Sequence, residues 1–394
     1  MTLRDPIVAV THPDPYAYYA DLVARTPLYW DETSGLWVAA SAAAVTAVLT
    51  SECCRVRPPA EPVPAALLGT PAGDIFGRLV RMNDGPDHRP LKRAITTTLG
   101  DIDGTRVAGK SRAWARVLAR EITPEDQSTV WDFAFRLPVY VVASLLGAPR
   151  DHLRQTSIWM GEFARCLAPA STPAQIRRGA AAATGLLDLF HPLLATQSDG
   201  RADGLLVTLA REAARVGRDD PDAIVANGIG FLFQAYEATA GLIGNTLVAL
   251  AADRAARDAV VADPGLLRDV ISEVLRHDPP VQNTRRFLAR DAVIAGREMA
   301  RGDGVLVVLA AANRDPAANP FPHRFDIGRK DRQTFTFGRG AHTCPGDTLA
   351  RIIVQAGIAQ VIASGVDLAR LTAGMTYRES VNARIPLFAR AMTT

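Results

Sequence analysis

A mainly α fold with small β-sheets is predicted by three observations on this 394-residue chain. From Arg89 to about Leu275 the apolar residues recur at helical spacing, broken by Gly100, Asp101, Gly104, Pro124, Pro149 and Pro173. Segments with strand character are short and lie towards the two ends of the chain. The composition, 48% apolar and 22% charged with a net charge of +3, suits a chain with a large buried core. It excludes a disordered polyelectrolyte and gives no charge footprint for nucleic acid or an anionic membrane.

The elements follow in order. Residues 1–22 carry acids and prolines where a secretory signal needs a basic start and an apolar run. Neither export nor anchoring is expected from that end. Cys53, Cys54, Cys166 and Cys344 show no zinc-ribbon or CxxC spacing, and the first two are adjacent, so a reduced cytoplasmic compartment is expected. Leu28–Trp30 and Leu36–Ala39 flank the turn Glu32–Gly35 and read as a hairpin, followed by a helix over Ala42–Leu49. Arg57–Pro71 is Pro-rich and reads as a long loop. Ile224–Ala252 is apolar enough to resemble a membrane span, but its flanks lack the basic and aromatic pattern of membrane edges. It reads as a central buried helix, interrupted by Asn227, Gln234, Glu237 and Asn245. A carboxylate in such a helix is costly unless paired or wet, which marks Glu237 as functional. After Pro279–Pro280 the pattern changes to short strands at Ala292–Ile294 and Val305–Leu309, then a helix from about Gly346 to Ser364.

The most informative stretch is Thr334–Arg351, TFTFGRGAHTCPGDTLAR. One cysteine, Cys344, sits among Gly340, His342 and Gly346 just before a helix. The helix dipole and free amide donors stabilise a thiolate placed there. Glycines let the backbone pass close to a large flat ligand. With no second cysteine nearby, tetrahedral zinc is disfavoured, and a single axial thiolate is what a haem iron accepts.

This stretch resembles the haem-binding loop of the cytochrome P450 family, Phe-x-x-Gly-x-His-x-Cys-x-Gly, through Phe337, Gly340, His342, Cys344 and Gly346. Three further segments agree in order. Glu273 and Arg276 match the family's Glu-x-x-Arg, with Arg324 expected as a third member of an ion-pair network. Ala312–Pro316 resembles the stretch between these motifs in bacterial members, and Asp84–His88 resembles the entry to the family's third helix.

The resemblance covers essentially the whole chain and implies a single haem-containing domain, 1–394, of the soluble bacterial type. It implies haem b with Cys344 as the proximal metal ligand, the thiolate favouring O–O cleavage. By position, His88, His342 and Arg286 would serve the propionates. Lys92, where relatives carry Arg, keeps the charge but loses the bidentate fork. The implied activity is that of a monooxygenase, an oxidoreductase acting with O2. The implied partners are a small-molecule substrate, free or bound to a carrier protein, and a ferredoxin with its reductase. The ferredoxin would dock near Arg339 and the helix after His88.

The central helix departs from the family pattern. It reads Gln234-Ala235-Tyr236-Glu237-Ala238-Thr239 where relatives have Ala-Gly-x-Glu/Asp-Thr-Thr/Ser. Ala238 stands where relatives hold a threonine whose hydroxyl helps deliver protons to oxygen. Thr239 points about 100° away and replaces it only if a local bulge shifts the register. Gln234 lies four residues earlier on the same face. Three outcomes stay open: a weakly coupled monooxygenase; proton delivery reassigned to substrate, water or Gln234; or oxidative coupling and cyclisation without oxygen insertion. A non-catalytic haem sensor or carrier is the alternative from another class. The residues Arg57–Met82, Ile158–Phe190, Gly230–Phe233, Val281–Thr284 and Val381–Asn382 are expected around the substrate, with Asn283, Thr284 and Asn382 as polar handles. The expected product is a hydroxylated or epoxidised secondary metabolite.

Overall fold

Helices dominate because long Ala- and Leu-rich stretches are capped by short polar side chains. The computed structural model describes residues 3, 5–86, 88–196 and 204–388. Asp87 of the Asp84–His88 segment lies outside the described residues. Helix α1 (Tyr16–Arg25) leads into the hairpin of β1 (Leu28–Asp31) and β2 (Leu36–Ala39), whose turn is closed by Gly35 at φ +62°. Ser41 Oγ accepts from the Ala44 N–H at 3.2 Å and starts α2 (Ala42–Thr50), which is followed by β3 (Cys54–Arg55). The Pro-rich loop ends at Thr70, the N-cap of α3 (Pro71–Arg78). Pro71, expected as the end of the loop, therefore opens a helix, because proline is well tolerated at the first helical position.

The helical middle comprises α4 (His88–Gly100), α5 (Gly104–Leu118), α6 (Gln127–Leu146), α7 (Leu153–Cys166), α8 (Pro173–Thr196) and α9 (Leu205–Arg215). The longest helix, α10 (Pro221–Ala252), then runs through the core, in contact with α3, α6, α7, α8 and α9. Among the described helices α6 alone is long and apolar enough to cross a membrane, but 72% of its apolar window is buried inside the protein. It packs along α10, so both apolar helices solvate each other.

Helices α11 (Arg254–Ala262) and α12 (Leu267–His277) precede the β-rich part. There β4 (Thr284–Leu288), β5 (Ala292–Ile294), β6 (Arg297–Met299) and β7 (Gly304–Val307) form, and the expected strand to Leu309 stops early where α13 (Leu309–Asn313) begins. The chain ends in α14 (Asp347–Ala363), α15 (Leu368–Thr372), β8 (Thr376–Tyr377) and β9 (Pro386–Leu387). The main sheet has the order β1-β2-β7-β4-β3. Its β2–β7 pair is parallel, with Val38 opposite Leu306, so both ends of the chain share one sheet.

Candidate active site

The Cys344 loop is built by its backbone. The Cys344 N–H donates to the Phe337 carbonyl at 2.8 Å, and the Gly346 N–H reaches the Cys344 sulfur at 3.4 Å. Gly338 and Gly340 both sit at φ +71°, and a β-carbon on Gly340 would lie 2.8 Å from the Leu49 carbonyl oxygen. Gly346 is different: its φ is −100°, so its role is the amide it offers rather than space. Helix α14 starts at Asp347, which directs its positive end at the sulfur. Burial pushes the Cys344 thiol up, against the pull of the Gly346 amide and of Lys92.

A buried polar network holds this loop from below. Arg276 Nε donates to both Glu273 oxygens at 3.1 Å, and Arg332 Nε donates to Glu273 Oε2 at 2.9 Å. Arg329 adds a third cation at 3.5 Å. The expected partner Arg324 contributes only its backbone oxygen, which accepts from Arg276 at 3.0 Å, so the network uses the Arg329–Arg332 segment instead. Asn313 is the link to the cysteine. Its amide donates to the Leu275 carbonyl on α12 and to Thr336 Oγ1, and its Oδ1 accepts from the Phe335 N–H at 2.6 Å.

On the other side of Cys344 the middle of α10 opens. Residues 224–232 and 239–247 of this helix are buried, yet residues 233–238 between them are only half-buried. With Arg81 over the Phe233 ring and near Cys344, this open surface on a core helix marks a hollow between α10 and the cysteine. Cationic and imidazole groups ring it. His88 and His342 stack with ring centres 4.4 Å apart. His342 Nε2 is bonded to Asp84 at 2.9 Å, and Asp84 also accepts from the Val56 N–H. Burial alone would raise the Asp84 carboxyl, but the bonds from His342 and Val56 hold it below its usual range. Burial, then the charges of His342 and Lys92, push His88 down to about 4. Lys92 Nζ donates to the Thr343 carbonyl at 2.6 Å, beside Cys344.

These groups fit haem b. His88 is 4% exposed and its Nε2 has no hydrogen-bond partner, a costly state that an acceptor from a ligand relieves. Arg286 is 6% exposed and forms no ion pair among the described residues, although it feels Asp84 through space. A thiol with buried donors lacking an anion suits an iron porphyrin with two propionates. Phe337, under the guanidinium of Arg351, packs against the main core next to the loop.

The expected distal residues fall into two groups. Ala238 is half-buried and faces the hollow, whereas Thr239 is 2% exposed and faces the core. The helix is unbroken α from Pro221 to Ala252, so no bulge shifts Thr239 into the place of Ala238. Gln234 donates one of its two Nε2 hydrogens to the Gly230 carbonyl at 2.9 Å, which ties its amide to its own helix. Glu237 is ion-paired with Arg378, a partner more than a hundred residues away that sequence spacing could not reveal. Asn283 is 2% exposed and its amide donates to the Val381 carbonyl at 2.9 Å, so it fastens the turn instead of serving as a free handle. Thr284 accepts weakly from Arg286 at 3.4 Å, and Asn382 lies in an exposed turn with Ser380.

Comparison with known proteins agrees with this geometry. The family profile described as "Cytochrome P450" matches residues 248–364. The chain is 32% identical to Cytochrome P450-SU2 of Streptomyces griseolus over 296 residues, which is 73% of this chain and 70% of that protein. It is 28% identical over 355 residues to the 6-deoxyerythronolide B hydroxylase of Saccharopolyspora erythraea, 86% of each chain. A 32% identical match to the Vitamin D(3) 25-hydroxylase of Pseudonocardia autotrophica spans 64% of this chain and 62% of that protein's length. The crystal structure of CalO2 superposes with a TM-score of 0.83 at 28% identity, covering 99% of this chain and 98% of that one.

Proposed function

The chain belongs to the cytochrome P450 family of haem b enzymes, and from that premise we propose that it is a monooxygenase acting on a largely apolar secondary metabolite. The whole chain would act as one haem-binding domain, and a ferredoxin with its reductase would supply electrons. The observation that carries this reading is the hollow between Cys344 and the open middle of α10. Two relatives are hydroxylases by name, which supports hydroxylation over coupling.

Haem b held there would supply the activation of dioxygen. The residues of the chain set the conditions. Cys344 would hold the iron through its sulfur, and the Gly346 amide would moderate the charge there. Arg286, Lys92 and His88 hold the propionates, with His342 kept in place by Asp84. Phe233, Ala235 and Ala238 give the substrate side an apolar wall that excludes bulk water.

Proton delivery is the atypical part. Ala238 offers no hydroxyl, Thr239 is turned away, and the Gln234 amide, tied to Gly230, carries no acidic proton. Glu237 is the acid left on this stretch of the helix, and its ion pair with Arg378 aims it. Protons therefore pass by water from Glu237, or from a group on the substrate itself. Ala238→Thr tests this: coupling of reductant to product is expected to rise by about two- to tenfold. Unchanged coupling and an unchanged product would remove the support for reassigned proton delivery. Oxygen-18 gas separates the second reading, because oxidative coupling leaves the product unlabelled.

A further inference from the structure

We infer that Arg81 is a substrate anchor whose guanidinium, held over the hollow between Cys344 and α10, binds the carboxylate of an acidic, otherwise apolar substrate. This rests on the monooxygenase reading and narrows it to a substrate class.

Arg81 lies deep in the molecule, surrounded by protein, yet its side chain keeps open surface. The space it faces is therefore interior. Its guanidinium leans on the ring of Phe233 at 5.8 Å, on the α10 side of the hollow. No carboxylate pairs with it among the described residues, and the like charge of Arg286 reaches it. A desolvated guanidinium without an anion is costly, so the site is built to receive one.

Charge accounting separates Arg81 from the haem. Two propionates carry two negative charges, which Lys92 and Arg286 would neutralise, while His342 is matched by Asp84. Arg81 is the positive charge left over. A carboxylate neutralises it one for one and matches the planar fork of the guanidinium. A phosphate, at about −1.5 to −2, would leave an excess charge in an apolar space.

The anchor is also preorganised. Asn227, on α10 and 2% exposed, accepts from the Val80 N–H and donates to the Arg78 carbonyl, both at 2.9 Å. Leu79 packs against Gly230, where a β-carbon would come within 2.7 Å of its Cδ2. Asn83 donates to the Gly77 and Leu79 carbonyls at 2.8 Å. The backbone on both sides of Arg81 is thereby fixed to α10 and to itself, and less ordering is needed when a ligand arrives. Phe233 in turn meets Phe163 edge-on at 5.6 Å, which puts an apolar patch beside the guanidinium.

The test titrates the haem-loaded full chain with decanoate and tetradecanoate, and with their methyl esters, by calorimetry. The acids are expected to bind about ten- to a hundredfold more tightly than the esters. Arg81→Gln should abolish that difference, and Arg81→Lys should keep part of it, charge without the fork. Equal affinity of acid and ester, no binding of either acid, or a preference that survives in Arg81→Gln overturns the proposal. So does loss of haem from Arg81→Gln, seen in the carbon monoxide spectrum of the reduced protein, because it would assign Arg81 to a propionate. The monooxygenase reading fails separately: a bound acid that draws no reductant with ferredoxin, reductase and O2 leaves the anchor standing and removes the activity.

Discussion

The two faces that meet at the hollow are built in opposite ways. Below Cys344 nearly every polar group is spent: Glu273 is held by Arg276, Arg329 and Arg332, and Asn313 ties α12 to the loop with three bonds. Above it, α10 presents Ala235, Ala238 and a Gln234 bonded only to its own helix. The lower face is an over-determined frame that fixes where a metal ligand sits. The upper face carries few mutual bonds and can vary without unfolding the chain. The difference teaches where to look for chemistry particular to this protein.

The contrast breaks if the lower face tolerates change. Glu273→Gln leaves three cations around a neutral amide, a loss of about 3–5 kcal/mol for a broken buried pair. The expected outcome is a chain that fails to accumulate as haem-loaded protein, read from the carbon monoxide spectrum. Asn313→Ala strands the Phe335 N–H, while the Leu275 carbonyl keeps the Thr336 hydroxyl; at about 1–3 kcal/mol it should lower the melting temperature measurably while haem still binds.

Acid sharpens the comparison. Burial, and next the charge of Arg314, push His277 down from 6.5 to about 4. Between those values the unfolded chain takes up a proton that the folded chain refuses. Stability is therefore complete above pH 6.5 and falls as the pH drops towards 4. The loss is on the order of 1–2 kcal/mol for this partly exposed group. Melting curves of His277→Gln between pH 7 and about pH 4.5 should be flatter than those of the parent. The smallest effect belongs to the upper face. Gln234→Ala removes a single bond to a carbonyl already within a helix, so the melting temperature should shift by no more than the equivalent of about 0.5 kcal/mol. Ligand affinity should change more than stability, which a calorimetric titration reads directly.

What the sequence revealed follows the same division. The Cys344 loop, Glu273 with Arg276, and the central helix were legible because their residues lie close together and their spacing carries the geometry. The small strands β3, β4, β8 and β9 were not: they are two to five residues long, and Thr284–Leu288 reads as polar. A strand that short is defined by its partner, not by its own pattern. Arg378 and Arg81 escaped for the same reason, since the contacts with Glu237 and Phe233 join distant parts of the chain. Arg324 was misplaced as a network member because Arg329 and Arg332 lie in a segment without helical period, where spacing says nothing about direction.

The parallel pairing of Val38 with Leu306 has a consequence for synthesis on the ribosome. A chain emerging at ~5–20 residues per second exposes β2 for roughly 13 to 54 seconds before β7 exists to pair with it. During that interval the hairpin carries an open edge able to join any other extended chain. Trp30 and Trp37, packed edge to face with ring centres 5.7 Å apart across the hairpin, hold its two strands together from local sequence alone. The nascent protein can thus keep its own first strands paired while it waits for the last quarter of the chain.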